Sequence, residues 1–261
     1  MRQMTTFQIK LIAITSMVID HIGLVFFPHI LLLRIIGRLA FPLFAWLIAN
    51  GAYYSYNTKM YLTRLFLFAL LVQIPFIVVN RLINPSFWAL NVLFTLFFGL
   101  AAIVLMKKAK NRYIAVSVVI VSAMLAQVLS ADYGMLGVFA IILFYVFFED
   151  IKKMIIVQIC LFTLLSIIPI VVFIAFTGTF IPVASITSVN LCPPTWISVC
   201  LKVSAAIPPN FVILNLIEPL GLISLCFIAL YDGQEGRKMK YFFYWFYPAH
   251  LLIIYFLKLF V

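Results

Sequence analysis

Residues 9–53 read IKLIAITSMVIDHIGLVFFPHILLLRIIGRLAFPLFAWLIANGAY. The stretch is two apolar runs, 9–28 and 31–53, with only Pro28-His29-Ile30 between them. A helix rises 1.5 Å per residue and a bilayer core is about 30 Å thick, so about twenty residues make one crossing. Each run is long enough, and the short link makes them a helical hairpin. Similar runs follow at approximately 60–80, 87–106, 113–130, 134–148, 154–176, 210–230 and 241–260. The predicted fold is an all-α polytopic transmembrane helical bundle of about nine membrane spans, within a range of eight to ten. The segment 134–148 is short for a crossing.

Composition agrees. Of 261 residues, 66% are hydrophobic and 10% charged, with a mean hydropathy of +1.22. Soluble domains are about half apolar and a quarter charged, and no domain of this size has interior enough for the excess. A cytosolic enzyme, a secreted disulfide scaffold and a disordered chain are excluded. So is an outer-membrane barrel, because the apolar runs are continuous rather than alternating. The first run is long enough to remain as a span rather than be cleaved as a signal peptide. The four cysteines show neither a C-x-x-C pair nor a metal-ligand spacing, so no metal site is expected. No repeat or linker divides the chain, and residues 1–261 read as a single integral membrane domain.

The net charge of +11 reads as topology rather than as affinity for nucleic acid. Arg2, Lys10, Lys59, Arg64, Lys107, Lys108, Lys110, Arg112, Lys152, Lys153, Arg237, Lys238 and Lys240 all fall on one side if nine spans alternate. Only Arg81, Lys202 and Lys258 fall on the other. The positive-inside rule then places the N-terminus in the cytoplasm and the C-terminus outside. The Pro-rich loop 177–209 becomes extracytoplasmic, where Cys192 and Cys200 either pair or stay as free thiols.

Two arginines are left over within the membrane. Arg34 and Arg38 lie four apart on one face of the second span. Asp20 and His21 sit in the outer half of the first span, at a depth close to that of Arg38 when counted from the turn. Buried ionisable groups are costly in a bilayer and mark function by default. One reading is a structural clamp, Asp20 with Arg34 or Arg38. His21 argues for more, because imidazole titrates near neutrality and moves protons. Lys10, Ile14, Met17 and His21 form one stripe, with Lys10 at its cytoplasmic mouth; Lys10 also reads as a snorkelling anchor. Asn91, Thr95 and Gly99 share a face of the fourth span, either as a polar lining or as a close-packing stripe. Arg64 near the cytoplasmic face reads as an anchor or a phosphate contact. In the last span, Tyr247-Pro248-Ala249-His250 combines a kink with a histidine near mid-membrane. His250 and Tyr247 are therefore a candidate cavity wall, or His250 is a satisfied core residue. Glu218 precedes a proline in the eighth span and is placed to accept from a neighbour.

Several of these stretches resemble the TraX family. They are Lys10 through Gly23 with its Asp20-His21 pair, Arg34-Ile-Ile-Gly37-Arg38-Leu-Ala-Phe41-Pro42, Tyr61-Leu-Thr-Arg64-Leu, Asn91-Val-Leu-Phe-Thr95-Leu-Phe-Phe-Gly99, Asp132-Tyr-Gly134-Met-Leu-Gly137 and Tyr244-Trp-Phe-Tyr247-Pro248-Ala-His250. The likeness covers nearly the whole chain except 150–210. It implies pilin N-acetylation in conjugation systems and a distant relation to integral-membrane acyltransferases. Those carry an acyl group from cytoplasmic acyl-CoA to an acceptor at the outer face. By that similarity His21 is the general base and Asp20 orients it. Arg38, with Arg34, would bind the thioester oxyanion or the pantetheine amides. Lys10 and Arg64 would meet the CoA phosphates, and Asn91 and Thr95 would line the acetyl-CoA site. The expected protein is an acetyl-CoA-dependent acyltransferase of the bacterial inner membrane. Its acceptor would be a pilin-like peptide or an envelope small molecule. Buried Asp, His and Arg with a Pro-broken helix suit a proton-coupled transporter equally well on physics alone, although no inverted repeat is visible. A membrane assembly factor for pili without catalysis is the third reading.

Overall fold

A computed structural model describes residues 3–177 and 217–260. The first helix, α1 (Thr6–Phe26), opens on a capping box in which Thr5 and Gln8 satisfy each other's backbone N–H groups. It returns through a turn at 27–30 into α2 (Leu31–Arg38). Two glycines let this hairpin close tightly. A β-carbon at Gly23 would lie 2.7 Å from Leu33 Cβ, and one at Gly37 would overlap Asp20.

The second apolar run forms one stretch, Leu31–Tyr54, as its length predicts. Its hydrogen bonding is interrupted at Leu39, whose backbone stays in the α region, and α3 (Ala40–Tyr54) follows. Pro42 supplies the reason. It has no N–H to offer the Arg38 carbonyl four residues earlier. The released carbonyl lies against Gly221, where a β-carbon would approach its oxygen to 2.6 Å.

The chain continues as α4 (Thr58–Arg81), α5 (Val92–Met106), α6 (Arg112–Val128), α7 (Gly134–Val146) and α8 (Ile151–Thr177). A 3₁₀ helix (Glu218–Ile223) leads into α9 (Ser224–Ala229), and α10 (Lys240–Phe260) ends the described chain. No strand occurs among the described residues. The protein is a multi-pass helical bundle. Five stretches are long and apolar enough to cross a membrane alone: Thr6–Phe26, Leu31–Tyr54, Thr58–Arg81, Ile151–Ile168 and Phe242–Phe260. Val92–Met106, Arg112–Val128, Gly134–Val146 and Glu218–Ala229 are apolar but shorter. At 1.5 Å per residue, α7 spans only about 20 Å. It compensates by lying inside: Leu136, Val138, Ala140, Ile141 and Phe144 are buried against α3 and α5. The expected loop 177–209, with Cys192 and Cys200, and the start of the eighth segment lie outside the described residues, apart from Thr177 at the end of α8.

Contacts at the helix ends sort into two layers. At one end, Met4 pairs with Leu230 and Asp232 through backbone hydrogen bonds of 3.1 and 3.0 Å. There too Lys107 Nζ donates to the Ala52 carbonyl at 2.9 Å, and the Tyr53 hydroxyl bonds to Glu149. At the other end, Leu90 pairs with Ser130 and Asp132, and Lys258 lies 5.7 Å from the Phe26 ring centre. Helices therefore alternate in direction, and the clusters 107–112, 152–153 and 237–240 follow ends of the first layer. The first and last helices run in parallel. Lys10 stands 5.6 Å from the Phe243 ring, His21 meets His250 midway, and Phe26 meets Lys258 at the far end.

Candidate functional site

Asp20, Arg34 and Arg38 converge across the α1–α2 hairpin; the matched depths in sequence point to an Asp20–His21–Arg38 constellation there, whereas the structure brings in Arg34 and turns the His21 ring away. Arg34 Nη1 lies 2.7 Å from one carboxylate oxygen of Asp20, and Arg38 Nη2 lies 3.6 Å from the other. The side chains of all three are largely buried, Arg34 most deeply at 8% residue exposure. Opposite charges this close offset each other's desolvation, and removing one would strand its partner.

Two further residues complete the cluster from distant parts of the chain. Arg38 Nη1 lies 2.6 Å from Glu218 Oε1 and donates to the Tyr133 hydroxyl at 3.2 Å. The ion-paired set therefore contains two guanidinium groups and two carboxylates, and a third carboxyl, Asp132, is buried close enough to interact with both arginines. Tyr133 reaches Arg38 because the 129–134 connection bends sharply. Ser130 and Tyr133 both adopt left-handed backbone conformations, φ 53° and 64°, an arrangement disfavoured for side-chain-bearing residues. The Tyr133 ring stacks on Phe41 at 3.8 Å, and Gly137 leaves room for Thr95, Phe41 and Tyr133 together. Two donors stay free: Arg34 Nε and Arg38 Nε are buried and have no hydrogen-bond partner. Unused buried donors are costly in a closed core and useful where a polarised oxygen is to be held.

His21 turns elsewhere. Its Nδ1 is 2.8 Å from His250 Nε2, with ring centres 5.0 Å apart and planes 24° from parallel. His250 Nδ1 is 3.1 Å from the Phe246 carbonyl. The ring of Phe246 stacks beside His250 at 5.7 Å, and Tyr247 meets it edge-on at 5.3 Å. The resemblance assigned Asp20 to orient His21. In the structure the His21 ring nitrogen meets His250, and the Asp20 carboxylate serves the arginines. The cause is elementary: consecutive residues on a helix point about 100° apart. Asp20 and His21 therefore address different neighbours, one toward α2 and one toward α10. His250 is 5% exposed, whereas His21 is only partly buried.

Of the remaining candidates, Thr95 borders this centre beside Tyr133, and Lys10, Arg64 and Asn91 stand apart from it. Lys10 is eleven residues below His21 on α1, about 16 Å along the axis, with its ammonium over Phe243. Arg64 lies on the first turns of α4, its Nε buried without a hydrogen-bond partner. Asn91 caps α5 by accepting from Leu93 N–H at 3.0 Å. It also donates to the Ala69 carbonyl and to Gln73 Oε1 at 2.9 and 2.8 Å. Thr95 donates to the Asp132 carbonyl, and Gly99 lies tight against Ile141. The stripe 91–95–99 braces α5 against α4, α7 and the 129–133 connection.

The family model described as TraX protein matches residues 6–258. The probable fimbrial assembly protein FimC, serogroup H1, of Dichelobacter nodosus is 27% identical over 273 residues, covering 98% of this chain and 97% of that protein. The uncharacterized protein RP591 of Rickettsia prowazekii (strain Madrid E) is 29% identical over 143 residues, covering 53% of this chain and 54% of that protein. No solved structure matches.

Proposed function

Since the chain belongs to the TraX family, we propose that it is an integral-membrane acyltransferase that takes an acetyl group from acetyl-CoA. The observation that carries this reading is a partly open histidine, His21, held 2.8 Å from a second histidine and next in sequence to Asp20 of a buried Arg–carboxylate cluster. A neutral imidazole accepts a proton at physiological pH, and the free Arg34 and Arg38 Nε–H groups suit an oxygen that gains negative charge.

The reaction balances simply. The acceptor N–H or O–H gives its proton to His21 as its N or O attacks the acetyl carbonyl carbon. A C–N or C–O bond forms, the C–S bond breaks, and the protonated His21 returns the proton to the CoA sulfur. Acetyl-CoA is a substrate throughout. It would enter from the basic end, read as the cytoplasmic face of the inner membrane, where Lys10 and Arg64 suit its phosphates. The name of the Dichelobacter relative supports an acceptor belonging to a pilus system, such as the N-terminal amine of a pilin-like subunit. It equally supports a role in pilus assembly without catalysis.

The test is direct. Purified protein in lipid nanodiscs is given isotope-labelled acetyl-CoA and a panel of amine and hydroxyl acceptors, with His21→Ala as control. Transfer that disappears in the variant supports the enzyme. Failure to bind CoA at millimolar ligand sinks it and leaves the assembly role.

A further inference from the structure

The contacts of the two histidines fix where their hydrogens sit. The Phe246 carbonyl can only accept, so the His250 Nδ1 at 3.1 Å carries a hydrogen. In a neutral ring the other nitrogen, Nε2, then has a lone pair. That lone pair faces His21 Nδ1 at 2.8 Å, so His21 Nδ1 must carry the hydrogen between them. Reversing the order would set a lone pair of His250 against those of the Phe246 carbonyl, inside a buried site where repulsion is poorly screened. The consequence falls on the last nitrogen of the series. With its hydrogen committed to His250, the neutral His21 ring leaves Nε2 bare.

We propose that His250 is a positioning residue: anchored on the Phe246 carbonyl, it holds His21 in the Nδ1–H tautomer and so makes His21 Nε2 the basic atom of the site. What that base does rests on the acyl-transfer reading above, whereas the tautomer assignment does not. When Nε2 takes the acceptor's proton, the imidazolium charge is shared through Nδ1–H with the His250 lone pair. No counter-carboxylate is then needed at His21, and Asp20 is free to neutralise the arginines. Phe246 and Tyr247 hold the His250 ring from two sides. The same turn contains Pro248, which sets the course of the helix there.

Histidines 21, 29 and 250 are the three in the chain, so a His29→Gln background with ¹⁵N-labelled histidine reports the two rings alone. In lipid bilayers at about pH 8, above the ordinary imidazole range, both Nδ1 atoms are expected to give protonated-nitrogen signals and both Nε2 atoms bare-nitrogen signals. This is the reverse of the tautomer that free histidine prefers. A protonated Nε2 on His21 overturns the proposal. His250→Gln keeps an acceptor oxygen near the Nε2 position and is expected to hold His21 in the Nδ1–H form. His250→Leu removes the acceptor and is expected to release His21 to the Nε2–H form; if the ring stays Nδ1–H, His250 is not what sets it. In the transfer assay, His250→Leu is expected to lower kcat about 10²-fold or more, the usual weight of a general base. KM for acetyl-CoA should be unchanged, and His250→Gln should recover much of the rate. Should His250→Leu fail to fold, the unsubstituted-pair spectrum still decides the assignment. The expected spectrum in a protein that transfers no acetyl group upholds the tautomer and overturns the acyltransferase reading alone.

Discussion

Gly37 and Asp20 occupy one space: the Asp20 side chain lies directly on the Gly37 α-carbon, in the volume a β-carbon would fill. The absence of a side chain at 37 is what lets α1 and α2 approach this closely. Any residue with a side chain at 37 must move the Asp20 Cβ, which belongs to a helix and has little freedom.

Gly37→Ala is therefore expected to cost about 1–3 kcal/mol of stability, the range for overpacking a tight contact. It should also part Asp20 from Arg34. Thermal unfolding in detergent reads the first effect. A fully stable Gly37→Ala protein would show that the hairpin packs more loosely than described.

Arg38 and Glu218 behave as a unit. Arg38→Met leaves the Glu218 carboxylate buried without its cation and is expected to cost about 3–5 kcal/mol. The double variant Arg38→Met/Glu218→Leu removes both charges and should recover more than half of that loss. A double-variant cycle in thermal unfolding measures the difference. Losses that simply add would deny the pairing.

Asn91 separates bracing from ligand binding. Asn91→Ala removes the cap of α5 and two interhelical bonds, with an expected cost of about 1–3 kcal/mol. KM for acetyl-CoA should not change, because the amide is committed to Leu93, Ala69 and Gln73. A raised KM with unaltered stability would return Asn91 to the substrate site.

Much of this architecture is legible in sequence, for definable reasons. Apolar runs about one bilayer long announce the helices, and the three-residue turn forces α1 and α2 together, so Asp20, Arg34 and Arg38 meet. Depth along a helix is counted easily; azimuth across a bundle is not. The Arg38–Glu218 contact joins residues 180 apart in sequence, and the His21–His250 contact joins residues 229 apart. Neither leaves a local pattern. The role imagined for Asp20 beside His21 follows sequence adjacency, which on a helix separates side chains. Asn91 and Thr95 were readable as a stripe, but whether a stripe faces a ligand or a neighbouring helix depends on what lies opposite. The interruption at Leu39 follows from Pro42, a signal that a hydropathy profile passes over.

Orientation is tested by labelling. In a background without cysteine, Lys110→Cys is expected to react with a membrane-impermeant thiol reagent only from the cytoplasmic side, and Asn84→Cys only from outside. The reverse pattern would invert the topology assigned by the basic loops.

The distance in sequence between the halves of the cluster bears on how the protein is made. Translation delivers Asp20, Arg34 and Arg38 to the membrane long before Glu218 or His250 has been synthesised. The hairpin enters with Asp20 and Arg34 already able to neutralise each other, so the insertion machinery handles a locally balanced pair. Arg38, which shares Asp20 with Arg34, meanwhile lacks its Glu218 partner until position 218 has been synthesised. A stalled or truncated product therefore retains an uncompensated charge in its first hairpin, a flaw that membrane quality control can detect.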